Sequence, residues 1–195
     1  MTNDRVRVQK VETLSDNWYI LKKTTFDYQR ADGRWQTLTR ETYDRGNGAA
    51  ILLYNKALRT VILTRQFRFP AYVNGYKGLL IEACAGLLDN GDPETAIKRE
   101  TEEETGYQIG TVTRIFEAFM SPGSVTEKLY FFVAEYDPAS KISSGGGLAA
   151  DGEDIGVLEL DFDTALAMIG HEIVDAKTIM LLQYAAIHRL LESSL

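Results

Sequence analysis

The sequence predicts an α/β (α+β) fold in which short strands run before and after one carboxylate-rich helix, further helices close the sheet near the C-terminus, and the first 45 residues are strands without a helix. Three observations carry that prediction. Apolar residues recur in short runs bounded by Gly, Asn, Asp and Pro, which is the pattern of strands and turns. Residues 93–105 lie between a capping Asp92, followed by Pro93, and a stop at Gly106. Near the C-terminus, Ile179, Leu182, Ala186 and Leu190 form one stripe of a helix spanning Thr178 to Glu192.

Taken in order, the chain opens with alternating Val6 and Val8, then strands at Trp18–Leu21, Thr24–Tyr28 and Trp35–Thr42, with Asp32-Gly33 turning the last hairpin. A few strands with no helix cannot bury both faces, so this segment must pack on the rest of the chain or on another subunit. Arg45-Gly-Asn-Gly48 marks a boundary, giving a segment 1–45 and a main domain 46–195. Strands Ala49–Tyr54 and Val61–Arg65 open the main domain. Arg65-Gln-Phe-Arg68 then sets two arginines at a strand end, as phosphate clamps would be, beside a polar, flexible loop at Asn74–Gly78.

Leu79–Cys84 reads as a strand feeding directly into the Gly86 loop and the acidic helix, and Val112–Phe119 and Leu129–Glu135 follow as strands. Between them, Met120-Ser-Pro-Gly-Ser-Val-Thr-Glu127 is either an ordinary turn or a loop that brings Glu127 to a site rim. Residues 137–154 make a long loop through Ser143-Ser-Gly-Gly-Gly147 and Asp151-Gly-Glu-Asp154. Glu153 and Asp154 are there either as a solvated loop end or as a movable catalytic pair. Val157–Asp161 is the last strand, before a short helix at Asp163–Ile169 and the longer helix already described.

Composition excludes several classes. At 195 residues and 45% hydrophobic content the chain can bury a good core as one domain with a small appendage. No apolar run reaches the roughly 18 residues of a membrane span, and Met-Thr-Asn-Asp-Arg-Val-Arg-Val lacks the apolar core of a secretory signal, so a cytoplasmic protein is expected. A net charge of −7 argues against broad nucleic-acid binding and for a small substrate. Cys84, the single cysteine, sits among apolar residues and reads as an inert thiol. His171 and His188 stand apart from it and from each other, which argues against zinc.

Glu100, Glu103 and Glu104 stand at i, i+3 and i+4 and therefore share one face of the helix. Like charges at that spacing repel by roughly 0.2–0.5 kcal/mol per pair in water, and by more when buried. A hard divalent cation such as Mg²⁺, which takes oxygen ligands and grips phosphates, gives a reason to cluster them. The alternative is a solvated face on which Arg99 pairs with Glu103, and Lys98 lies near Glu94 and Glu102. Glu103 is open between a further ligand, a base and a brace held by Arg99.

Gly86, Arg99-Glu100, Glu103-Glu104 and Gly106 resemble the Nudix box, G-x5-E-x7-R-E-U-x-E-E-x-G-U, and the Arg-Glu…Glu-Glu-x-Gly half matches position for position. Three departures touch the loop and packing: six residues separate Asp92 from Arg99, Asp92 stands nearest the motif's first glutamate, and Thr101 occupies its apolar position. Nearly the whole chain is similar to the nucleoside-diphosphate-sugar and ADP-ribose branch of the Nudix family, above all to its GDP-mannose pyrophosphatase members. That similarity runs through Leu14–Trp18, Arg40-Glu41, Tyr43–Gly48, Arg65–Arg68, Cys84–Asn90 and Met120–Gly123.

The resemblance implies a Nudix α/β/α sandwich with a mixed sheet, plus an antiparallel N-terminal strand segment swapped across a homodimer. It implies metal ligands at the Ala85 carbonyl, Glu100, Glu104 and Glu153. Substrate contacts are implied at Trp18, Arg40, Glu41, Arg68, Ala85, Gly86, Leu87, Glu127, Asp154 and Lys177, with Gly152 standing where relatives carry an acid before the glutamate of that loop. Trp18 would stack on a base; read alone, it is equally a core aromatic. Glu153 is the expected general base, with Glu127 and then Glu103 behind it. The expected activity is Mg²⁺-dependent cleavage of GDP-mannose to GMP and mannose 1-phosphate. The alternatives are ADP-ribose cleavage to AMP and ribose 5-phosphate, and a sensor that binds a nucleotide sugar without cutting it.

Overall fold

A computed structural model describes residues 4–88 and 91–192, so Asp89 and Asn90, at the end of the Cys84–Asn90 similarity, lie outside the described residues. Among the described residues the strands form two sheets. The first is antiparallel and joins β1 (Val6–Asp16), β2 (Ile20–Gln29) and β3 (Trp35–Asp44) in sequence order. The two strands expected at Trp18–Leu21 and Thr24–Tyr28 are one: β2 pairs continuously with β3 from Ile20↔Asp44 to Gln29↔Trp35, and Trp18 precedes it in a bend. Residues 1–47 form one compact unit together with 119–128, where Tyr43 exchanges backbone hydrogen bonds with Ser124 and Thr126.

The second unit, residues 48–118 and 129–195, holds the mixed sheet in the order β10-β5-β4-β9-β8. Its strands are β4 (Gly48–Asn55), β5 (Thr60–Gln66), β8 (Thr113–Phe119), β9 (Lys128–Glu135) and β10 (Gly156–Asp161). The parallel pair is β4 with β9, and two short strands, β6 (Leu80–Glu82) and β7 (Cys84–Leu87), attach to β5 and β4. The single strand expected at Leu79–Cys84 thus breaks at Ala83, where the chain changes partners, and Gly86 lies inside β7. A short helix α1 (Phe69–Val73) follows Arg68, with Pro70 in its first turn, where no helical N–H is required.

Strand alternation sends β4 side chains to both faces. Ala49, Ile51 and Leu53 join Ile62, Cys84, Phe132 and Ala134 against Ile97 of α2 (Pro93–Thr105). The other face carries Phe131, which packs on Phe116, and Phe116 packs on Tyr184 of α4 (Ala176–Ile187). Helices therefore cover both faces of a mixed sheet, and α3 (Phe162–Ala167) packs beside α4. The buried stripe of α4 is Thr178, Leu181, Leu182 and Ala185, turned from the expected one, and Ala186 is exposed. The helix is apolar nearly all round, so periodicity could not orient it. Among the described residues no helix is long and apolar enough to cross a membrane.

Candidate active site

The helix α2 forms where its local signals direct. The Asp92 carboxylate accepts from the Thr95 N–H at 3.0 Å, and Gly106 ends the helix at φ 77° with its N–H on the Glu102 carbonyl. Thr101 is fully buried, and its hydroxyl donates to the Ile97 carbonyl at 2.7 Å. With the hydroxyl satisfied inside the helix, its methyl packs where the motif carries an apolar residue.

Two of the three clustered carboxylates face β7. A Cβ on Gly86 would collide with the Glu100 carboxyl group, so glycine there is a requirement of close approach. Glu104 is 3% exposed, and its carboxylate accepts from the Ala85 N–H at 3.3 Å. Burial, reinforced by the charge of Glu100, pushes Glu104 up to about 7, against the Cys84 thiol and the Ala85 N–H, which favour the anion. Burial in turn, with the Glu104 charge beside it, holds the Cys84 thiol far above its ordinary range, so it is no nucleophile. Arg99 donates to Glu100 at 2.9 Å and lies 3.9 Å from the more exposed Glu103, so its closer ion pair is with Glu100 and not with the expected i, i+4 partner.

A buried carboxylate beside a second one, both against the backbone of β7, fits a hard divalent cation, which would remove the cost of ionising Glu104 that the fold imposes. Among the described residues no set of three His, Cys, Asp or Glu side chains is gathered for a metal, while the charge of Glu100 acts on Glu104.

A second charged cluster was not legible in the sequence. Glu82, at the end of β6, accepts from Arg68 Nε at 2.8 Å and from Lys177 Nζ at 2.5 Å, and Lys177 also meets Asp175 at 3.0 Å. Its only sequence signal is a charge inside the apolar run Leu79–Cys84, which requires a partner without naming it. Burial works against the Arg68 charge, but Glu82, followed by Glu104 and Asp175, holds its pKa above the usual value.

The long loop is fastened along α2. Ile142 and Ser143 donate to the Gly106 carbonyl, Gly146 to Glu104 and Gly147 to Glu103. The Glu153 carboxylate turns back onto its own loop and accepts from the Leu148 N–H at 2.8 Å, while Asp154 is exposed. Neither is gathered with Glu100 and Glu104. In the N-terminal unit, Trp18 is 81% exposed and so is no core aromatic of this chain. It stands edge-on to Tyr19, which meets Tyr43 in the same way. Arg40 and Glu41 are exposed on β3, and Glu127 lies 3.3 Å from Arg45.

Two family models match the chain: a GDP-mannose pyrophosphatase NudK N-terminal domain over residues 5–43 and a NUDIX domain over residues 44–177. The chain belongs to the Nudix family and is a Nudix hydrolase. It is 55% identical over 184 residues to a GDP-mannose pyrophosphatase of Pectobacterium atrosepticum, covering 93% of this chain and 94% of that one. A GDP-mannose pyrophosphatase of Klebsiella pneumoniae is 53% identical over 181 residues, covering 92% and 90%. The crystal structure of an ADP compounds hydrolase shares the fold at a TM-score of 0.69 and 17% identity, covering 97% of this chain and 96% of that one.

Proposed function

We propose that this protein hydrolyses the diphosphate bond of a nucleoside-diphosphate sugar, GDP-mannose first, giving GMP and mannose 1-phosphate. The observation that carries the reading is the pair Glu100 and Glu104 held against Ala85 and Gly86, in a chain more than half identical, over nearly its full length, to proteins named GDP-mannose pyrophosphatase. Glu100, Glu104 and the Ala85 carbonyl would hold Mg²⁺. When bound, that ion supplies neutralisation of the diphosphate charge and a lowered pKa for an attacking water.

The chain's own residues do the rest. Arg68 presents a planar guanidinium suited to two phosphoryl oxygens at once, and Arg40 offers the same chemistry from the N-terminal unit. Trp18, already exposed, offers a stacking face for the base. Glu41, Leu87, Glu127, Asp154 and Lys177 complete the proposed substrate contacts, and Glu127 and then Glu103 are the reserve candidates for the base. Glu153 takes the proton of the water; to do so its carboxylate leaves the Leu148 N–H, so closure of this loop is part of the reaction. In the N-terminal sheet, exposed Val6, Val8, Val11 and Leu14 are covered by a second copy, with its strands swapped into a homodimer. A single buried thiol and no disulfide suit the cytoplasm.

Turnover of a panel of nucleoside-diphosphate sugars with Mg²⁺, with products identified by mass, tests the reading. GDP-mannose should be cut fastest, to a nucleoside monophosphate and a sugar 1-phosphate. Faster cleavage of ADP-ribose would move the reading to that substrate. Binding with no product after long incubation would make the protein a sensor.

A further inference from the structure

We propose that Glu82 is a positioning residue: it fixes Arg68, and through Lys177 the start of α4, so that the Arg68 guanidinium meets a diphosphate in one orientation. The inference rests on the phosphate-binding reading of Arg68 and deepens it. The Glu82 side chain is 4% exposed and accepts two charged hydrogen bonds, one on each oxygen: Arg68 Nε on Oε2 and Lys177 Nζ on Oε1. Two charged partners offset the cost of burying that carboxylate, and removing them would leave an uncompensated charge.

The geometry of the cluster is directional. Arg68 spends Nε on Glu82, its side chain stays 41% exposed, and its two Nη groups have no hydrogen-bond partner among the described residues. A guanidinium anchored by one edge and open at the other is oriented before any ligand arrives, which reduces the ordering cost of binding. Lys177 differs: its side chain is 11% exposed and lies between Glu82 and Asp175. It places a second positive charge against Glu82.

The backbone around Glu82 is held just as firmly. Its carbonyl accepts from the Thr64 hydroxyl at 3.1 Å, and the next N–H, that of Ala83, donates to the Thr178 hydroxyl at 2.6 Å. Asp175 caps α4 by accepting from both the N–H and the hydroxyl of Thr178. The end of β5, the break between β6 and β7, and the first turn of α4 therefore meet around one residue, Glu82, through its backbone as well as its carboxylate. No other residue is bonded to both cations among the described residues.

Glu82→Gln is the direct test, because it keeps the shape while removing the charge and turning an N–H₂ toward one of the two cations. Two readouts are taken on the folded variant: calorimetric affinity for inorganic pyrophosphate in the presence of Mg²⁺, and KM and kcat for GDP-mannose. Pyrophosphate affinity should fall about tenfold to a hundredfold and KM should rise in parallel, while kcat changes less. Arg68→Met should lose the same affinity, and adding Glu82→Gln to it should cost little more, since the anchor has nothing left to orient. If Glu82→Gln does not fold, Glu82→Asp keeps the charge but withdraws it by one methylene and should still weaken pyrophosphate binding.

Wild-type-like pyrophosphate affinity in either folded variant overturns the proposal. So does a loss that is fully additive with Arg68→Met. If the wild type binds pyrophosphate but cleaves no nucleotide sugar, the reading of the activity falls and the affinity comparison still decides the role of Glu82. If it does neither, both fall.

Discussion

Glu104 is the residue on which electrostatics and function meet most directly. Its pKa, raised from 4.5 to about 7, means that the folded chain keeps a proton that the unfolded chain gives up. Between those values the unfolded state binds fewer protons, so stability falls as pH rises, by about 3 kcal/mol in all, and levels off above the higher value. Thermal unfolding in EDTA from pH 4 to pH 8 should show that loss, and Glu104→Gln should flatten it. Adding Mg²⁺ at pH 8 should raise the wild-type Tm, because a cation relieves the cost of the ionised carboxylate.

Gly86 belongs to the same scale. Gly86→Ala places a methyl group on the Glu100 carboxyl group, so metal affinity and turnover should fall together by at least about tenfold, with a small change in Tm. Glu153→Gln should leave KM nearly unchanged and depress kcat about a hundredfold across the pH range. Glu127→Gln should do less, and near-normal turnover in Glu153→Gln would pass the base to Glu127 or Glu103.

At the scale of elements, what was legible in the sequence was what local chemistry decides. The bounds of α2 follow from Asp92, Pro93 and Gly106, which act within one turn of themselves. The break at Ala83 was not legible, because an apolar run gives no sign that its two halves pair with different strands. The face of α4 was misjudged for a related reason: a helix apolar on most sides is oriented by what it packs against. The long loop read as one whose end is either solvated or a movable pair, with nothing to say what fastens it, yet Gly145 sits at φ 66°, and a Cβ there would collide with the Glu104 carbonyl and the Thr105 backbone. Gly145→Ala should therefore cost about 1–3 kcal/mol locally and make the loop susceptible to proteolysis without unfolding the sheet.

At the scale of the molecule, the charge cluster around Glu82 shows where reading a sequence stops. Its partners stand 14 and 95 residues away, and no spacing rule connects them. The carboxylate pair of the site was legible because both members lie on one helix. The N-terminal sheet was legible as strands without a helix, and Val6, Val8, Val11 and Leu14 are exposed on it. Removing residues 1–45 should abolish the dimer in sedimentation and most of the activity; a monomeric, soluble and fully active remainder would refute the swapped-strand reading.

On the proposed reading, Glu100 and Glu104 hold a divalent cation on which diphosphate cleavage depends. Manganese is the direct probe, since its electron paramagnetic resonance signal reports free ion while it substitutes for Mg²⁺. Titrating wild type and Glu104→Gln with Mn²⁺, and assaying GDP-mannose cleavage in the same samples, ties binding to turnover. Mn²⁺ binding should be at least about tenfold weaker in the variant, with turnover lower by orders of magnitude and partly recovering at high Mn²⁺. Unchanged Mn²⁺ binding and unchanged turnover in Glu104→Gln would contradict that reading.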